Sequence, residues 1–175
     1  DFTQSELFDT VKELSGSKLI SHPYQSHRYS VSPIPEYNEW YISLYRTFRT
    51  TSGHDVGVIE TVKKCSSLFK DIISYQNKSK NSSTQIYIYD SDGYLIYPYN
   101  IDDDEKNALP DYYSLCTVNN SGEVFQNPIS GKNEYSVCSV SNYTGFTYLT
   151  ILPESVVLRP VNQLLKTLVI VMVVF

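Results

Sequence analysis

The sequence is short of the residues that build metal centres. Three histidines (His22, His27, His54) and three cysteines (Cys65, Cys116, Cys138) are its only imidazole and thiol donors in 175 residues. His22 and His27 miss the i, i+4 spacing that presents two imidazoles to one metal from a helix, and no Cys–His spacing fits a zinc site. No metal is expected. No block of lysine and arginine occurs, and the net charge is −5, so the electrostatic footprint of a nucleic-acid binder is absent. There is no Gly-x-Ser-x-Gly elbow and no dinucleotide fingerprint. Gly16-Ser17-Lys18 lacks the preceding glycine and strand of a phosphate loop. Nothing pairs a nucleophile with a base at a recognisable spacing, so the chain reads as non-catalytic and without a cofactor.

An odd cysteine count does not make a disulfide framework. Cys116 and Cys138 lie in strand-like runs, YYSLCTV and YSVCSV. They are read either as a bonded pair suited to an oxidising compartment or as two ordinary thiols.

Tyrosine is abundant, with 16 copies. It favours strands and half-buried surfaces and suits polar-tipped binding sites. The tyrosine-rich QIYIYDSDGYLIYPY, residues 85–99, contains Asp-Ser-Asp-Gly, like the start of a calcium loop. Counted from Asp90, Gly93 is fourth rather than sixth and the twelfth residue is Ile101, so the spacing fails. Asp-Gly between alternating strand residues predicts a hairpin. The acidic run Asp102–Glu105 reads as a solvated surface with one short helix.

Apolar spacing predicts a helix through Leu7, Phe8, Val11 and Leu14, ending near Gly16. Residues 17–38 read as extended loop. Two strands follow across EWYISLYRTFR and DVGVIETV, turning at Thr51–Asp55, then a helix with Cys65, Leu68, Phe69, Ile72 and Ile73 on one face. After a polar linker come the hairpin, strand candidates at Ser114–Val118 and Tyr135–Val140, and a last strand over 145–153. Residues 154–166 are helical and lead into LVIVMVVF. This run is shorter than the ~20 apolar residues of a spanning helix and is expected to be its first turns.

Trp40, Tyr41, Tyr45 and Arg46 are the candidate ligand-binding residues, because aromatic groups beside a fixed cation suit a small polar or anionic ligand. The plainer reading has the aromatics covering a sheet and Arg46 paired with an acid such as Glu60.

The order YISLYRTFR, DVGVIETV, SSLFKDI, IYIYDSDGYLIYP and SNYTGFTYLTILPESVVLRPVNQLL resembles the extracellular Cache (PDC-like) sensor domains of bacterial receptor histidine kinases, notably the YesM-like group. The resemblance covers roughly residues 40–175. It implies an α/β (α+β) fold, a curved antiparallel sheet flanked by helices. It divides the chain into the end of a membrane-distal lobe with a connecting helix (1–75), a membrane-proximal lobe (76–153), and a helix leading into the membrane (154–175). It implies a domain on the outer side of the cell membrane that binds a small molecule and passes a shift to its last helix, in a homodimeric two-component kinase. Amino-acid-binding members commonly carry an aspartate where Ile59 stands, and Glu60 should face the other way. A sugar-like ligand is therefore the expectation, or none. The alternatives are a chemotaxis receptor sensor and a membrane-anchored carbohydrate-binding or adhesion module.

Overall fold

The computed structural model describes residues 9–11, 13, 18–25, 39–78, 84–117 and 124–174. The remainder of the predicted first helix, including Leu7, Phe8, Leu14 and Gly16, lies outside them. The chain forms two units, Asp1–Lys70 and Asp71–Phe175.

In the first unit, α1 is helical at residues 9–11 and 13 and buries Val11 completely. The sheet is organised around β3 (Trp40–Arg49), a run of aromatic and branched residues suited to a pleated surface. β4 (Asp55–Lys64) lies antiparallel along one edge. β1 (Lys18–Ile20) and β2 (Tyr24–Gln25) share the other edge, opposite Leu44–Arg46 and Trp40–Tyr41 respectively. The stretch expected to be loop thus contributes two strands. They are too short to carry a periodic signal, and β3 supplies their hydrogen-bonding template. The β3–β4 turn closes through Thr50 and His54, with a register shift after Phe48. Gly57 lies under the Phe48 ring, where a Cβ would stand 2.7 Å from the ring edge, so any larger residue would displace the ring.

β4 runs directly into α2 (Cys65–Leu68), and α3 (Lys70–Lys78) follows after Phe69. The single helix expected here is broken at Phe69. Cys65 and Phe69, one turn apart, are buried, while Leu68 is 42% exposed. Burial pushes the Cys65 thiol up to about 12.

The second unit holds a five-stranded antiparallel sheet in the order β6-β5-β9-β8-β7. Its strands are β5 (Gln85–Tyr89), β6 (Leu95–Tyr97), β7 (Val124–Gln126), β8 (Asn133–Val140) and β9 (Thr147–Pro153). The predicted hairpin is present. The Asp90 carboxylate accepts the backbone N–H groups of Asp92 and Tyr94, and Gly93 adopts φ +82° beneath the Tyr113 ring. α4 (Asp103–Asn107) is capped by Asp102, whose side chain accepts the Glu105 N–H at 2.7 Å.

Ser114–Val118 was expected to be a strand. Residues up to Thr117 form a helix instead, α5 (Tyr112–Thr117), and Val118 lies outside the described residues. Asp111 accepts the Ser114 N–H, and the helical turn places Tyr112 and Cys116 on the same side. Both reach the core, where Tyr112 joins Tyr87, Tyr89, Leu95, Leu149 and Ile151. The Tyr87 and Tyr112 ring centroids are 5.1 Å apart. A disulfide joins Cys116 of α5 to Cys138 of β8, with Cα atoms 5.7 Å apart. β7 was not anticipated. Asn127 follows it, turning the chain by accepting the Ile129 and Ser130 N–H groups and donating to Tyr112.

β9 passes without a linker into α6 (Glu154–Val157), and α7 (Arg159–Val174) follows after Leu158. Leu158 donates to Glu154 and Asn162 to Leu158, so helical hydrogen bonding bridges the break. Pro160 falls in the first turn of α7, where a missing N–H costs least.

The disulfide closes a loop across 22 positions, which corresponds to about 3 kcal/mol of stability. In urea unfolding, Cys138→Ser should lose about 2–4 kcal/mol. Reductant should bring the wild type to the same midpoint and leave the variant unchanged.

Candidate functional site

Alternation along β3 divides its side chains between two faces. Tyr41, Ser43, Tyr45 and Thr47 share one, and Trp40, Ile42, Leu44, Arg46 and Phe48 share the other. The antiparallel register sets Glu60 opposite Tyr45, Val62 opposite Ser43 and Lys64 opposite Tyr41. On the other edge of β3, Tyr24 lies opposite Tyr41.

Ser43 is fully buried in the middle of this face and is held by polar partners. Its backbone N–H donates to Ser21 Oγ at 2.9 Å, and its hydroxyl donates to Glu60 Oε1 at 2.8 Å. A hydroxyl has one proton to give, so Tyr24 OH, 2.6 Å from Ser43 Oγ, is the donor in that pair. Tyr45 OH donates to the same Glu60 oxygen at 2.9 Å. Ser43 and Tyr45 thus converge on one exposed carboxylate, and Tyr24 is linked to it through Ser43. A second group adjoins them: Glu39 receives Tyr41 OH at 2.6 Å and Lys64 Nζ at 2.7 Å. Thr47 Oγ1, on the same face, is buried and has no hydrogen-bond partner among the described residues.

The electrostatics keep these phenols as donors. The bond to Glu39, with burial, pushes Tyr41 up to about 12. Burial, reinforced by Glu60 and opposed by Ser43, pushes Tyr45 up to about 12. The Lys64 bond, then the Tyr41 bond, holds Glu39 below its ordinary 4.5. The face therefore presents protonated hydroxyls and carboxylates, an array for holding a polar molecule. Among the described residues, no group of three or more metal-ligating side chains is present.

Of the residues singled out from the sequence, the structure brings Tyr41 and Tyr45 together on this face and places Trp40 and Arg46 on the opposite one. Arg46 lies opposite Lys18 and Ile59, so the Arg46–Glu60 pair is not made. Odd and even positions of β3 and β4 are matched, which directs Glu60 to the serine and tyrosine. Sequence reasoning missed Tyr24, Ser43 and Glu60 as one group. The visible signals were the Tyr41-x-Ser43-x-Tyr45 spacing and an acid within the otherwise mostly apolar DVGVIETV. Tyr24 gave none, because its partner is set by a two-residue strand.

Solved structures share this architecture. The extracellular domain of rpHK1S-Z16, assigned as a histidine kinase, aligns with TM-score 0.54 at 20% identity, over 82% of this chain and 56% of that one. The fold is that of a PDC/Cache sensor domain. The ligand-binding domain of the Pseudomonas aeruginosa PAO1 amino acid chemoreceptor PctB, in complex with L-Arg, aligns with TM-score 0.54 at 16% identity, over 85% and 58%. That of Mlp24 with asparagine aligns with TM-score 0.53 at 13% identity, over 89% and 58%. The chain thus spans somewhat more than half the length of these sensor domains. No family model and no curated protein sequence matches it.

Because the folded-state value of Glu39 lies below its unfolded one, its contribution to stability is complete above pH 4.5 and is lost as the pH falls through the lowered value. Glu39→Gln should melt below the wild type at neutral pH. The difference should shrink on acidification from about pH 5 to about pH 3, as followed by circular dichroism.

Proposed function

We propose that this chain is the extracellular ligand-sensing part of a transmembrane receptor, with a small ligand bound on the Tyr24–Ser43–Glu60–Tyr45 face. Convergence of two hydroxyls on Glu60, with Tyr24 joined to them through Ser43, in a sheet of a fold shared with ligand-binding sensors, carries the reading. Two neighbours hold amino acids. The phenols and Glu60 of this face suit a hydroxyl-bearing, sugar-like ligand, with aromatic rings beside hydrogen-bonding groups.

In this proposal residues 1–75 correspond to the end of a membrane-distal lobe and its connecting helix, and 76–153 to a membrane-proximal lobe. Residues 154–175 lead toward the membrane. α7 itself has 16 residues, and no helix among the described residues is long and apolar enough to cross a membrane. Support for a membrane-directed role comes from its exposed side chains, including Leu168, Val169, Ile170, Val171 and Met172. The proposed output is a two-component histidine kinase of the YesM-like group acting as a homodimer, in which ligand favours one of two arrangements of the terminal helix. A chemoreceptor output is the second reading, favoured by the equal likeness to the L-Arg chemoreceptor domain. The direct join of β9 to α6 weighs against an adhesion module on a loose tether.

A ligand at one hundred times its Kd stabilises the folded state by about 2.7 kcal/mol, a shift of several degrees in Tm. A metabolite thermal-shift screen should give at least one such compound, a sugar or related polyol among them. Tyr45→Phe and Glu60→Gln should diminish the shift, and Trp40→Ala, on the opposite face, should not. A shift abolished by Trp40→Ala and kept by the other two variants refutes the assignment of this face.

A further inference from the structure

Along the β3 face the hydroxyls of Tyr41, Ser43 and Tyr45 each have a partner, whereas Thr47 Oγ1 has none among the described residues. Yet Thr47 is only 9% exposed. Directly across the ladder stands Val58, which offers no polar side-chain atom. On the other edge, the pairing of β1 with β3 reaches Arg46 and, among the described residues, goes no further. An unmatched buried hydroxyl is costly, and native proteins carry few of them. Valine has the same branched shape and equal aptitude for a strand, so filling space does not account for a threonine here.

We propose that Thr47 is the inner end of the binding face, where its hydroxyl shares a hydrogen bond with a hydroxyl of the bound ligand. The inference rests on the ligand-binding face proposed above and adds a specificity-determining residue to it. Tyr45 and Glu60 form one row across the two strands, and Thr47 and Val58 form the next row on the same face. The rows are about 7 Å apart, two residues along the strand. Tyr45 and Val58 are half-buried, so solvent reaches the face beside Thr47. A ligand ring laid against the Tyr45 phenol then meets Glu60 with one edge and Thr47 with the other. A threonine hydroxyl both donates and accepts, which suits a neutral hydroxyl. The carboxylates of Glu60 and Glu39 stand on or beside this face, and Lys64 is bonded to Glu39, so an anionic group would be repelled. The ligand class is therefore an uncharged polyol with hydroxyls on opposite edges.

Thr47→Val and Thr47→Ser in the 175-residue chain test the proposal. Without ligand, Thr47→Val should melt at or above the wild-type Tm by circular dichroism, because it removes an unmatched buried hydroxyl. A Tm lower by several degrees would mean that the hydroxyl has a partner within the protein and would overturn the proposal. Binding would be measured by calorimetry with D-glucose, D-galactose and D-xylose, each beside its monodeoxy forms. The sugar that binds should lose at least about fivefold in affinity on Thr47→Val and less than about twofold on Thr47→Ser. One of its monodeoxy forms should bind the wild type about fivefold more weakly and lose nothing further on Thr47→Val, as expected when one hydroxyl meets another. A deoxy series that loses as much on the variant as on the wild type would overturn the contact. Sugar binding left unchanged by Thr47→Val but weakened by Glu60→Gln would overturn the role of Thr47 and leave the binding face intact. Binding of none of these sugars to the wild type would overturn both.

Discussion

The candidate site depends on strand β3 being paired along both edges in a fixed register. A slip of one residue on either side would transfer every side chain of the slipped strand to the other face. With the observed pairing, Glu60 meets Tyr45 and Ser43, and Tyr24 comes in from the opposite edge. Ser43 is the junction: its backbone N–H and its hydroxyl are satisfied by three different segments of chain. A buried serine is tolerable only when its polar atoms are matched. Each of those partners is therefore also a constraint on where β1, β2 and β4 can lie.

Tyrosine serves two purposes in the two units. In the first, the phenols of Tyr24, Tyr41 and Tyr45 meet carboxylates or a serine on one face of the sheet. In the second, Tyr87, Tyr89 and Tyr112 form the bulk of the core, and burial pushes all three phenols well above their ordinary range. The rings fill space there, and the hydroxyl of the deeply buried Tyr112 is matched by Asn127 at 2.9 Å. The Cys116–Cys138 bond holds α5, and with it Tyr112, against the sheet. An array of hydroxyls on one sheet and a packed aromatic core on the other come from the same residue type, distinguished by what surrounds it.

Much of this was legible in the residues. The long strands, the Asp-Gly hairpin and the terminal helix follow from local chemistry and periodicity, which is why they were anticipated closely. β1, β2 and β7 have two or three residues each, too few for a pattern, and owe their conformation to the strands they join. YYSLCT is equally readable as strand or helix until its contact with the core decides. The face division of β3 could be read from alternation, which separates Tyr41 and Tyr45 from Trp40 and Arg46. The partner of Glu60 could not, because it depends on the β3–β4 register and on a turn whose register shifts after Phe48.

The position of β9 has a mechanical consequence. It is flanked by β5 on one side and β8 on the other, bonded to both, and it continues into α6 through Pro153. Sliding β9 along its own axis would require breaking both ladders at once. Tilting the sheet as a body breaks neither. The rod that begins at Glu154 is thus geared to the orientation of five strands together, and a piston-like stroke of a single strand is the least accessible of its movements.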